Sequence, residues 1–225
     1  VMVKIGVRHD AREALEIFAR EIAPAALAMA PGITGLYVGR PSVQPAVRLF
    51  SFLVDKDRVP AAVSFDGETV SVPVAAPAEP EPAPAHEPPL PSAAEADMAT
   101  VPLIAVARAR SGDKGDTANI GVIARDPDYL PWIAAALTEV AVADWFAHLA
   151  DGPVTRYYLP GIAALNFVIE RALGGGGIAS VRIDPQGKAF AQMLLDFPVP
   201  VPAALAKRLT TGASSASGAV RSTAG

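Results

Sequence analysis

The densest chemistry in the chain lies between Arg110 and Gly121. There Ser111, Asp113, Lys114, Asp116, Thr117 and Asn119 alternate with Gly112, Gly115 and Gly121. Glycine tolerates positive φ and lets a ligand come close to the main chain. Main-chain N–H groups beside Gly112 and Gly115 would form an anion-binding concavity, and Lys114 would add charge to it. Asp113 or Asp116 would act as a general acid or base in a partly buried setting. Asn119 would hydrogen-bond a carbonyl or carboxylate, Ser111 and Thr117 a neighbouring oxygen. A thioester carbonyl or a coenzyme A phosphate suits such a set. The same residues also have a plainer explanation, in which the two aspartates make Asx-turns and pair with Lys114 and the arginines. The stretch holds more polar groups than a tight turn needs, which favours a ligand.

Other chemistries fit less well. The stretch lacks the Gly-x4-Gly-Lys-Ser/Thr spacing of a nucleotide-binding P-loop, and Gly112 to Gly115 does not make a dinucleotide fingerprint. No Gly-x-Ser-x-Gly elbow is present. His9, His86 and His148 are too far apart for ligand spacing, and the absence of cysteine removes thiolate ligands and disulfides together. Asp113 and Asp116 would hold Mg2+ only with water completing its shell, so no metal and no cofactor is expected. Gly174 to Gly177 is expected at a helix C-terminus, where the dipole disfavours anions, and so is read as structural. Tyr157 and Tyr158 read as strand residues. Asn166 is the odd amide on an apolar helix and needs a polar partner, which the Arg110–Gly121 stretch would supply.

The elements that position these residues follow from periodicity. Apolar runs at 102–107 and 120–124 predict two strands flanking a polar loop. Asp126-Pro127 opens a helical region whose apolar face includes Trp132, Ile133, Ala136, Leu137 and Val140, and a second helical piece covers 142–149. A strand follows at 154–159. Pro160 starts another helix with Leu165, Val168, Ile169 and Leu173 inward, and the four glycines stop it. A strand at 178–183, a turn at 184–187 and a short helix over 188–195 complete the order. This mixed order predicts an α+β fold with helices on one face of a mainly antiparallel sheet, ferredoxin-like being the nearest named architecture.

Ahead of this, residues 1–7 alternate as a strand, Asp10 caps a helix to about residue 22, residues 47–54 form a strand, and residues 59–74 form a hairpin turning at Asp66-Gly67. A strand this close to residue 1 makes residues 1–74 the expected C-terminal piece of a larger α/β domain, the alternative being a small α/β subdomain whose sheet edge the second domain completes. Residues 75–99, rich in Pro, Ala and Glu, are an extended linker. Residues 100–205 form the second domain, and 206–225 a disordered tail.

The whole chain has a formal charge of -4 and 51% hydrophobic residues, much of that alanine. No Lys/Arg cluster points to nucleic acid or to a membrane surface, and no apolar run is long enough to span a bilayer. Cytoplasm is the expected location.

Residues 110–125, Leu159 to Phe167, and Leu173 to Gly177 with Ser180 to Lys188 closely resemble the signature of the acyclic terpene utilisation A family, in its C-terminal ferredoxin-like domain. Arg20 to Pro24, Pro31 to Gly35 and Gly39 to Pro41 resemble the end of the family's large N-terminal domain. The resemblance implies several hundred residues ahead of the point where this chain begins. It also implies a place in the breakdown of citronellol- and geraniol-type terpenoids through acyl-CoA intermediates. The substrate would be an acyl-CoA or branched carboxylate, and the reaction a hydration, dehydration or isomerisation completed by the large domain. In that setting Asp113, Lys114 and Asp116 are the catalytic candidates. Ser111, Gly112, Gly115, Thr117, Asn119 and Asn166 are the substrate-binding candidates. The alternative is a non-catalytic assembly module in a homo-oligomer, in which the polar stretch only stabilises a turn.

Overall fold

The computed structural model describes residues 3–33, 39–73, 87–90 and 97–210. Chain contacts divide it into two units, Val1–Arg48 with Glu87–Gly225, and Leu49–His86.

The smaller unit is built on a hairpin of β1 (Ala61–Phe65) and β2 (Glu68–Val72). Asp66 and Gly67 both have positive φ, 49° and 84°, which is what a two-residue turn matched to strand twist requires. The Asp-Gly expectation is met. Residues 47–54, expected as a strand, have no regular structure, and Leu49, Phe50, Phe52 and Leu53 are exposed. Alternating hydrophobicity makes no strand without a partner ladder.

In the larger unit, residues 3–9 likewise form no strand. Lys4 instead donates from Nζ to the Arg182 carbonyl at 2.8 Å. Helix α1 (Arg12–Ala28) runs past the expected end and contains Pro24. Asp10 does not cap it; the Ala11 N–H donates to His9 Nδ1 at 2.9 Å. Of the expected linker, residues 87–90 are irregular and residues 98–99 already belong to a strand, while 75–86 and 91–96 lie outside the described residues.

The remainder holds β3 (Met98–Pro102), α2 (Leu103–Val106), β4 (Ala107–Lys114), β5 (Thr117–Ala124), α3 (Leu130–Ala136), α4 (Glu139–Trp145), β6 (Val154–Leu159), β7 (Ala164–Ile169), α5 (Phe190–Leu194) and β8 (Pro198–Pro202). Residues 206–210, expected to begin the tail, lie in a helix over 203–210 with Leu205 and Ala206 buried.

Four strands form an antiparallel sheet in the order β4-β5-β7-β6. β5 and β6 are therefore parallel, joined through α3 and α4, with β7 inserted between them. This is a split β-α-β unit, and the α+β, ferredoxin-like expectation holds. Four local expectations do not. The 102–107 run turns through α2 before the strand starts. Residues 110–121 are not a loop: the ladder runs from Ala107↔Ala124 to Lys114↔Thr117, leaving only Gly115 and Asp116 to reverse the chain. The helix expected after Pro160 is strand β7, so the four glycines follow a strand instead of a helix. Residues 178–183 are irregular apart from a 3-10 turn over Gly177–Ala179, because no neighbouring strand pairs with them.

One face of the sheet is the core. Ala118, Ile120 and Val122 of β5 and Leu165, Phe167 and Ile169 of β7 point to it, as period-2 alternation requires. They meet Leu130, Ile133 and Leu137 of the α3 region, Val142 of α4, and Phe190 and Leu194 of α5. Phe146 stacks on Phe190 with centroids 5.0 Å apart. The connection keeps its shape through local bonds. Thr138 caps α4 by accepting from the Ala141 N–H at 3.1 Å, and Arg156 donates to the carbonyls of Ala134 and Leu137 at 2.8 and 2.9 Å. β3 and β8 form a separate antiparallel pair in which Pro198, Pro200 and Pro202 alternate with buried Val199 and Val201.

Candidate anion-binding site

The second face of the four-stranded sheet carries the polar residues. Strand parity puts Arg108, Arg110, Gly112 and Lys114 of β4 on it, opposite Ile123, Gly121, Asn119 and Thr117 of β5. The same rows continue through Ala164, Asn166 and Val168 of β7 to Leu159, Tyr157 and Thr155 of β6. Arg108, Arg110, Lys114, Ile123, Tyr157 and Leu159 are exposed, so this face looks onto solvent.

A groove of about 390 Å³ opens here, bordered by Arg110, Lys114, Asn119 and Lys188 with Gly112 and Gly121 in its floor. Lys188 comes from outside the sheet. The turn before it is closed by Asp184, whose carboxylate accepts from the Lys188 and Ala189 N–H groups at 2.9 and 2.7 Å. From there the side chain crosses the β4 edge, and its Nζ lies 3.2 Å from where a Cβ at position 112 would sit. Gly112 therefore makes room for an ammonium. None of Arg110, Lys114 and Lys188 makes an ion pair among the described residues. Asp113, half-buried in the groove wall, is likewise unpaired among them. Asn119 donates from Nδ2 to Asn166 Oδ1 at 2.9 Å, so the odd amide does reach the polar stretch, from a strand.

The remaining candidates are placed elsewhere. Ser111 is buried on the core side, where its hydroxyl donates to the Lys188 carbonyl at 3.2 Å and accepts from the Ala191 N–H at 2.9 Å. It ties the start of α5 to β4. Asp116 is occupied as well: its Oδ1 accepts from the N–H groups of Leu173 and Gly175 at 3.2 and 2.7 Å, and its carbonyl from Ala172 and Leu173. Gly115, at φ 67°, makes the reversal, and its carbonyl lies against Gly176, where an added Cβ would come within 2.0 Å. Thr117 is half-buried at the closing pair of the hairpin. Thus Lys114, Gly112, Asn119 and Asn166 share one face; Asp113, opposite Ala118, borders the groove from the core-side parity of β4, and Ser111 and Asp116 hold the frame that presents it.

Sequence reasoning did not single out Arg110 or Lys188 as site residues. The period-2 pattern would have put Arg110 beside Lys114 once β4 was read as a strand. No local signal would have found Lys188, whose arrival depends on how residues 170–190 fold back.

A larger cleft of about 640 Å³ lies among residues 7–15, 43–46 and 178–181. Its His9 already accepts from Ala11, and its Arg12 is paired with Glu16 at 2.7 Å, which raises the guanidinium pKa. Among the described residues no three His, Asp or Glu side chains are grouped to hold a metal ion, and no helix is long and apolar enough to cross a membrane.

Comparison with known families adds two findings. Residues 101–200 match the AtuA ferredoxin-like domain, and residues 1–65 match the acyclic terpene utilisation family protein AtuA. The chain belongs to the AtuA family. Within that family's ferredoxin-like domain lie the whole groove and the sheet that carries it. No curated protein and no solved structure matches the chain.

Proposed function

We propose that the open sheet face of this AtuA-family protein binds an anionic acyl compound, a coenzyme A thioester or a branched carboxylate, in the breakdown of acyclic terpenoids. The observation that carries this is the groove itself: three cations without acidic partners among the described residues surround a floor of two glycines. Unpaired cations converging on one concavity attract phosphate or carboxylate, and bare main chain in the floor lets the ligand settle close. Acyl-CoA intermediates carry both an anionic head and a carbonyl, which match the cations and the Asn119–Asn166 amides. Asp113, which borders the groove from the core-side parity of β4, is the acid/base candidate. A hydration, dehydration or isomerisation needs further groups, which the family's large domain would supply.

The test is isothermal titration of the chain with coenzyme A and with isovaleryl-CoA, repeated on Arg110→Ala and Lys188→Ala. Each substitution removes one charge-assisted contact and should weaken binding about tenfold, roughly 1.4 kcal/mol. Binding that is absent in the parent chain, or unchanged in both variants, refutes the proposal.

A further inference from the structure

We infer that the ligand's hydrocarbon part lies across the strands toward the β6 rim, on Ile123, Tyr157 and Leu159, and that these side chains set the chain length and branching the site accepts. The inference rests on the anion site proposed above.

Its basis is how side chains change across the open face. On the β4 rim stand Arg108, Arg110 and Lys114. In the middle stand Asn119 and Asn166. On the far rim stand Tyr157 and Leu159, and in the same row as Leu159 stands Ile123, two strands inward across Ala164 and opposite Arg108. Tyr157 is 52% exposed, Ile123 41% and Leu159 40%. A single exposed apolar side chain is ordinary; three on one face, continuous with a cationic groove, form a surface with a charged side and an apolar side. Three strand spacings of about 4.8 Å separate the rims, roughly 14 Å in all. An extended acyl chain leaving a head group on β4 can therefore reach Tyr157.

The middle of the face suits the group between head and chain. Asn119 donates to Asn166 Oδ1, so the Asn166 amide N–H2 keeps its donors without a partner among the described residues. It stands between the cations and Tyr157, where a thioester carbonyl would accept from it. A second copy of this chain is a poorer occupant of the same face. A two-fold contact would oppose this face to its own duplicate, adding the same cations, with no acidic side chain among the strand residues that share it. An acyl-CoA brings the complementary charge and the complementary apolar surface together.

The test uses the full chain and titrates coenzyme A, acetyl-CoA, isovaleryl-CoA and citronellyl-CoA. Affinity should rise with chain length by about tenfold or more from acetyl to the ten-carbon chain. Tyr157→Ser combined with Leu159→Ser should flatten that rise while coenzyme A itself binds within about twofold of the parent. Ile123→Ser, checked for folding by circular dichroism, provides an independent variant should the double one unfold. If coenzyme A does not bind at all, the proposed function fails and the inference with it. If it binds but affinity ignores the acyl chain, or the serine variants keep the rise, only the inference is overturned. A concentration-dependent dimer in sedimentation that these variants abolish, without change in chain-length dependence, assigns the apolar rim to self-association and also overturns it.

Discussion

Asp113 and Asp116 are three positions apart, and the hairpin gives them different work. The Asp116 carboxylate caps the N–H groups of Leu173 and Gly175, while Asp113 stands at the groove's border, opposite Ala118 and without a partner among the described residues. Asp116→Ala leaves the Gly175 N–H without its acceptor and the Leu173 N–H with only the main-chain carbonyl of residue 116, and should lower stability by about 1 kcal/mol, read as a shifted urea midpoint. An affinity loss in a fully folded Asp116→Ala protein would instead place that carboxylate at the ligand. Gly176→Ala should be costlier still, on the order of 3 kcal/mol, because φ is 66° and the new methyl would meet the Gly115 carbonyl. The polar chemistry of 111–119 was legible from residue types alone. The division of labour between the two aspartates was not, since it depends on the 172–176 segment folding back onto the hairpin tip.

Among the elements, β7 shows how two periods can coexist in one stretch. Leu165, Val168, Ile169 and Leu173 fit a helix stripe, and Leu165, Phe167 and Ile169 fit a strand. Ladders available on both sides, with β5 and β6, decide for the strand. Pro160 sits in a single 3-10 turn, and Ala163 at φ 49° redirects the chain into β7. The Asp66-Gly67 hairpin was legible because its turn chemistry is local, whereas β3 and β8 were hidden by their prolines. Arg156 illustrates how a strand residue fixes a helix: it satisfies two carbonyls at the end of α3. Arg156→Met should cost about 1–3 kcal/mol and lower the thermal midpoint, because those carbonyls lose their partner. An unchanged midpoint would mean that water replaces the guanidinium without penalty.

For the molecule as a whole, β3 and β8 join residues that open the ferredoxin-like domain to residues that close it. Val199 and Val201 are fully buried against the common core. Val201→Ala should destabilise by about 2 kcal/mol, measured by chemical denaturation, and a near-neutral result would show that the pair is peripheral to the core. The order of the central sheet was recoverable only in class, because sequence periodicity does not say which strand lies between β5 and β6.

The prolines of β8 have a consequence for solubility. Ala203 donates to the Asp97 carbonyl and Leu103 to the Phe197 carbonyl, so the odd-numbered positions of this strand turn toward β3. Positions 198, 200 and 202 turn outward, and proline there offers a carbonyl but no N–H. A stray strand approaching that border finds acceptors and nothing to donate, so cross-β stacking and fibril growth have no place to start there.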